Sequence, residues 1–192
     1  TILAVEEFKK KESNLIPLAE KAKQNKAQVL MVCGHMNEAV NMVNALKQIQ
    51  WRPKALYASV GPALQEFYDR SGADAEGVFA TSLWEPGANY PGARQFNQQY
   101  IDTYNESPGY HAGLAYAAGQ VFEKAVNEVG SLERNKVRRA LFNLDTMTII
   151  GRFGIDKTGK QVRQHTFIIQ WQNGRKELVW PHQIKTAEPV FR

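Results

Sequence analysis

Cys33 and His35, held apart by Gly34 in the stretch VLMVCGHMNEAV, are the residues whose types and spacing come nearest to covalent chemistry. A thiolate nucleophile needs a base within hydrogen-bond reach and a local positive potential, such as a helix N-terminus, to depress its pKa. An apolar run ending at the cysteine, a histidine two residues on and helical spacing after it offer those parts. The spacing opposes their use. Residues two apart across a glycine need not face each other, and no third group stands out to orient the imidazole. A cysteine that closes an apolar strand is more often a small core hydrophobe. A Cys-dependent α/β enzyme therefore stays as the lesser alternative, and the chain is read as non-enzymatic.

His35 has a better use at the lip of a cleft. In open α/β sheets, ligands bind outside the carboxyl ends of the strands, where glycine lets backbone approach the ligand and the next helix presents unpaired N–H groups. Gly34 and His35 stand at such a place, and one strand–helix unit later so do Ser59, Val60 and Gly61. A plain surface loop is the alternative. Trp84, Tyr90 and Tyr110 flank a connector, WEPGANYPGA, where they could touch a ligand or pin two lobes together; Trp84 is the better ligand candidate. The four histidines are scattered without metal-ligand spacing, and there is no CxxC, Walker-type loop, GxGxxG or GxSxG, so neither metal nor cofactor is expected.

The elements that must position these residues follow from periodicity. ILAVEEF (2–8) reads as a strand, and Ser13 is placed to cap a helix over 14–24 in which Pro17 falls in the first turn. QVLMVC reads as a fully buried strand, followed by a helix from about Asn37; ALYASV and GVFATS repeat the strand signal. Strands separated by helices of about ten residues indicate parallel βαβ units. After the connector the spacing predicts three helices, near 91–105, 109–129 and 132–144, the second ended by Gly130 and the third capped by Ser131. No strand is available within that stretch to cover their apolar stripes. TIIGRFGI then reads as a strand, DKTGK as a turn, and TFIIQWQ and RKELVWP as a hairpin about Asn173–Gly174, since both turn residues accept the positive φ of a type I′ turn.

Composition narrows the class. The chain has 192 residues, 43% hydrophobic and 22% charged, enough to bury a core. No window of about 18 uncharged apolar residues exists. A net charge of +5 raises the question of a nucleic-acid partner, but the basic residues fall in short clusters beside acids or in turns, and none is expected. A first residue inside an apolar alternating run suggests a processed or truncated chain.

The order of motifs resembles a known family. VEEFKKKESNLIPLAEKAKQNKAQVLMVCGHMNEAVNMVNALKQIQWRPKALYASVG, AEGVFATSLWEP, FNQQYIDTYNESPGYHAGLAYAAGQVFEKAV, VRRALFNLDTMTIIGRFGID and FIIQWQNGRKELVWP together resemble the C-terminal half or more of the periplasmic solute-binding proteins of ABC transporters, Leu/Ile/Val-binding type. The resemblance implies a type I periplasmic-binding fold: two Rossmann-like α/β lobes with parallel sheets and a ligand closed between them. On that template 1–83 is most of the second lobe without its first βα unit, and 84–90 is a hinge crossing. Residues 91–150 are then the helices of the first lobe, 151–164 another hinge crossing, and 165–192 the second-lobe hairpin and tail. The chain would be truncated at its N-terminus, and the missing N-terminal part of the same protein would be a partner.

The resemblance also implies an ABC permease as a partner, a small-molecule ligand, and a periplasmic or extracellular location, lipid-anchored if the cell is Gram-positive. His35 matches a position where the family often places an aromatic or polar ligand contact. Ser59 or Val60 matches a place where its amino-acid binders often carry an acid, and YASVG has none. An ammonium left unpaired in a closed cleft is costly. The expected solute is amino acid-like, or an aromatic or aliphatic carboxylate or amide; the carboxylates and amides suit Val60, His35 and Trp84 better. A ligand-sensing domain of a regulator or receptor with the same fold is the alternative.

Overall fold

Val29–Val32, Ala55–Ala58 and Val78–Ser82, three short apolar runs, form strands β1, β2 and β3 of one sheet and pair in parallel. α1 (Ile16–Gln24) precedes β1, and α2 (Met36–Gln48) between β1 and β2 and α3 (Gln65–Ser71) between β2 and β3 make the crossovers that parallel pairing requires. The chain then leaves the sheet for α4 (Ala93–Tyr104), α5 (Tyr110–Val129), α6 (Arg134–Asn143) and a two-stranded ribbon, β4 (Thr146–Thr148) and β5 (Gly151–Phe153). It returns as a hairpin, β6 (Phe167–Gln172) and β7 (Arg175–Trp180), with β6 antiparallel to β3. The sheet order is β1-β2-β3-β6-β7, so the expected parallel βαβ units are extended by the hairpin, which rejoins their sheet as antiparallel strands.

This computed structural model describes residues 1–191; Arg192, the last residue of the expected tail, lies outside the described residues. The chain divides into two units, one made of residues 1–82 with the segment from Phe167 onward, the other of Leu83–Thr166. No helix among the described residues is long and apolar enough to cross a membrane.

In the first unit α2 buries Ala39, Val40, Val43 and Leu46, spaced three and four apart, the stripe that a helix lays against a sheet. The hairpin is held by particular bonds. Asn173 and Gly174 take φ values of 53° and 73°, and their N–H groups donate to the two carboxylate oxygens of Glu76 at 2.8 and 2.6 Å. Trp171 is fully buried, stacks on Tyr68 with centroids 4.9 Å apart and donates its indole N–H to the carbonyl of Pro62 at 2.8 Å. Gln170, equally buried, brackets Val190: its amide donates to the carbonyl at 2.7 Å and its side-chain oxygen accepts the N–H at 2.9 Å. That bracket lays the tail so that Phe191 stacks on Phe79.

In the second unit Trp84 is 1% exposed and meets Phe96 edge-on, with centroids 5.4 Å apart. α5 passes so near that a Cβ on Gly113 would stand 2.6 Å from the indole. α6 is capped by Glu133, whose carboxylate accepts the N–H groups of Asn135 and Lys136.

Several expectations are corrected. Residues 2–8 form no strand, because a strand exists only where a neighbour pairs with it. The first helix starts at Ile16, with Asn14 Oδ1 rather than Ser13 accepting the Ile16 N–H. β1 is not fully buried: it is the last strand of the sheet, with Val29 and Met31 58% and 65% exposed. Glu133 replaces Ser131 as the cap of α6; Ser131 Oγ instead accepts the Glu133 N–H. TIIGRFGI is not one strand: it turns at Ile149–Ile150, after the end of β4, and Gly151 opens β5 at φ 108°.

The Gly113 contact is testable. Gly113→Ala should destabilise the protein by about 1–3 kcal/mol, the cost of forcing one more carbon into a filled core, measured by denaturant unfolding. An unchanged midpoint would show that the helix and the indole do not pack this closely.

Candidate functional site

The first two strands end side by side, and the loops after them are clasped. β1 stops at Val32; Cys33 and Gly34 follow, and His35, with extended backbone, is the N-cap of α2. β2 stops at Ala58, leaving Ser59 and Val60 in the next loop. Ser59 Oγ donates to the Gly34 carbonyl at 2.8 Å and accepts the Gly34 N–H at 3.2 Å. Gly61 continues the close approach, since a Cβ there would lie 3.0 Å from Met36 Cα and 3.1 Å from Ala39 Cβ.

Glu38 completes the clasp. As the third residue of α2 it folds back, one carboxylate oxygen accepting the His35 N–H at 2.9 Å and the other the Lys11 N–H at 3.0 Å. This is the acidic half of a capping box. Gly34 is required beside it, because a Cβ would stand 2.8 Å from Glu38 Cβ. Glu38 is only 4% exposed. Burial penalises its charge, but N–H donors from Lys11, His35 and Glu38 itself, with the charge of His35, hold its carboxyl below the ordinary value of 4.5.

Gly34, His35, Ser59 and Val60 all line one open depression of about 440 Å³, together with Cys33. Phe8, Lys10 and Glu38 line it as well, and sequence reasoning missed all three. Glu38 had a signal, since an acid three residues after the first cap position marks a helix start. Phe8 and Lys10 had none; they come from a stretch more than twenty residues earlier, brought in by the Lys11–Glu38 bond. Cys33 is exposed rather than a core hydrophobe, because the sheet ends before it. Trp84 belongs to the other unit, where its ring fills the core against Phe96.

The depression has a mixed polar and apolar lining. It offers an imidazole, an ammonium at Lys10, backbone at Gly34, and apolar walls at Phe8 and Val60; its carboxylate and its hydroxyl are committed to holding the loops. Among the described residues no group of three His, Cys, Asp or Glu could hold a metal ion.

Two variants test the clasp. Glu38→Gln should cost about 1–3 kcal/mol, since an amide nitrogen would face a backbone N–H in a buried place. The folded carboxyl titrates below its unfolded value of 4.5, so the deficit should be full at neutral pH and close progressively as pH falls below 4.5. A deficit independent of pH, read from unfolding at several pH values, would remove the charge from the explanation. Ser59→Ala should cost about 1–2 kcal/mol through the unpaired Gly34 groups, and unaltered unfolding would show that the loops stand apart without it.

Comparison with known proteins gives this geometry a family. The sequence profile of the periplasmic binding proteins matches residues 1–176. A Leu/Ile/Val-binding protein homolog 7 of Brucella suis is 25% identical over 172 residues, covering 84% of this chain and 43% of the relative. Among solved structures, the branched-chain amino acid transporter substrate-binding protein LivJ of Streptococcus pneumoniae, in complex with isoleucine, superposes with a TM-score of 0.78 at 21% identity, covering 96% of this chain and 51% of that one. A solute-binding protein of an ABC transporter from R. palustris, in complex with benzoate, gives 0.73 at 13% identity, covering 94% and 50%. The chain thus spans about half the length of these relatives. With the profile matched over nearly all of its residues, the chain belongs to the periplasmic binding protein family and has its type I α/β fold.

Proposed function

We propose that this chain is part of an extracytoplasmic solute-binding protein that hands a small organic solute to an ABC importer. The observation that carries the reading is the lip at the carboxyl ends of β1 and β2, where Gly34, His35, Ser59 and Val60 meet at one depression. Its partners are the solute, the importer's permease and the part of the same polypeptide that the longer relatives carry and this chain does not. Closure of the lobes about hinges near 84–90 and 151–164 would trap the solute, the closed state being favoured by its higher affinity.

The solute class follows from the lip. His35 and Lys10 can serve a carboxylate or an amide, and Phe8 and Val60 an apolar or aromatic body. The acid nearest the lip, Glu38, already accepts two backbone N–H groups, so a ligand ammonium gains less from it than from a free carboxylate. Aliphatic and aromatic carboxylates therefore rank ahead of free amino acids.

Calorimetry on the full gene product with branched-chain amino acids, benzoate and aliphatic carboxylates tests the reading. The tightest ligand should lose about 1–3 kcal/mol of affinity in His35→Ala, the range for removing a buried polar partner. Equal affinity in the two proteins would exclude His35 from the site.

A further inference from the structure

Several of the chain's cations are set against carboxylates: Lys47 and Arg52 against Asp74, Arg70 against Glu66, Arg152 and Arg163 against Asp145. Those of α6 are not. Arg134, Lys136, Arg138 and Arg139 place four positive charges within six residues, all four are exposed, and none makes an ion pair among the described residues. The acids that could offset them are engaged or apart. Glu133 gives its carboxylate to the cap of the helix, Asp145 holds two other guanidinium groups, and Glu123 and Glu128 on α5 form no ion pair with any of the four.

The fold keeps this charge on an outward face. Val137 and Ala140 are buried against Ala125 of α5, with Leu141 packed beside them, so one side of α6 is occupied by its neighbour. With 3.6 residues per turn, Asn135 and Arg139 fall on the opposite side, flanked by Lys136 and Arg138. Arg138 lies over the half-buried Phe142 ring, 5.2 Å from its centroid. Leu132, 76% exposed, stands just before the helix. The result is a convex row of cations along a helix of about 15 Å, with a bare leucine at one end.

We infer that this face of α6 docks on the anionic headgroups of a phospholipid bilayer. Charge complementarity calls for a polyanion, and the face has the form of a layer's partner. A specific protein interface is built around ordered anchors seated in pockets, whereas these side chains have no carboxylate to order them. A headgroup layer needs only charge within reach and gains from each Lys or Arg brought near it. Because the apolar side of α6 is already packed on α5, the helix cannot sink into the bilayer as an amphipathic helix does. Contact is confined to headgroup phosphates and Leu132, so it is reversible and screened by salt. The choice of a bilayer rests on the proposed extracytoplasmic role beside a membrane-embedded importer. It does not depend on which solute the lip binds.

Sedimentation of the full gene product, purified without lipid modification, with vesicles of phosphatidylcholine alone or mixed with phosphatidylglycerol tests the inference. The protein should bind the mixed vesicles and not the neutral ones, and rising salt should release it. Arg138→Gln with Arg139→Gln should weaken that binding on the order of 30-fold, at roughly fivefold for each cation removed. Arg138→Lys with Arg139→Lys should bind as the unaltered protein does, because headgroup attraction follows charge. Equal binding to both kinds of vesicle, or full binding after the two charges are removed, would overturn the inference. So would capture by the importer in neutral-lipid nanodiscs that depends on the two arginines while the phosphatidylglycerol vesicles bind nothing, since the face would then belong to a protein partner. Solute calorimetry on the charge-removed variant should match the unaltered protein, so failure of the bilayer contact and failure of the solute reading are told apart.

Discussion

Glu38 must keep its charge while nearly all of its surface is withdrawn from water, and the lip is arranged around that requirement. A buried carboxylate is tolerable only when donors replace its hydration. Here they are backbone N–H groups from the helix start at His35 and from Lys11 in a distant stretch. The first bond fixes where α2 begins and so where the imidazole stands. The second brings Phe8 and Lys10 to the same depression. Gly34 has to be glycine because the Glu38 side chain occupies the space of a Cβ, and once Gly34 is bare of a side chain, Ser59 can grip its N–H and carbonyl together. One carboxylate thus sets a helix end, two loops and three lining residues.

The two units leave apolar surface exposed in different places. In the first, β1 ends the sheet with Val29 and Met31 exposed, and the apolar residues Ile2, Leu3 and Val5 are exposed and have no ladder. In the second, three helices and a six-residue ribbon have no sheet to cover; α5 buries Gly113, Ala117 and Ala125 but leaves Tyr116 and Phe122 44% and 53% exposed. Apolar surface of this kind is ordinarily withdrawn from water. Spanning half of its relatives' length is in keeping with that.

Much of the fold was legible because its signals are local. The Asn173–Gly174 turn, the apolar runs of β2 and β3 and the end of α5 at Gly130 depend on backbone preferences that single residues carry. The errors fall where pairing decides. ILAVEEF has strand character but no neighbour, β1 has a buried strand's composition at an edge, and TIIGRFGI is broken by the turn at Ile149–Ile150 between β4 and β5. Caps were misplaced by one or two residues, since Asn14 and Glu133 compete with the serines beside them. At the lip, Gly34, His35, Ser59 and Val60 could be chosen because they follow strands, whereas Phe8 and Lys10 reach it only through a long-range bond. The indole of Trp84 is the reverse case: an aromatic beside a connector reads equally well as a ligand contact or as a pin between lobes, and here it is packed against Phe96 within its own unit.

A solute held by this lip has to disturb its backbone before anything else. Titration of the isotopically labelled full gene product with the panel of carboxylates and branched-chain amino acids, followed by amide NMR, therefore examines the site directly. The resonances of Gly34, His35, Ser59 and Val60 should shift and saturate together. Those of Asn173 and Gly174, bound to Glu76 at the opposite end of the sheet, should stay in place. Saturable binding that moves the hairpin and leaves the four lip residues unmoved would contradict the assignment.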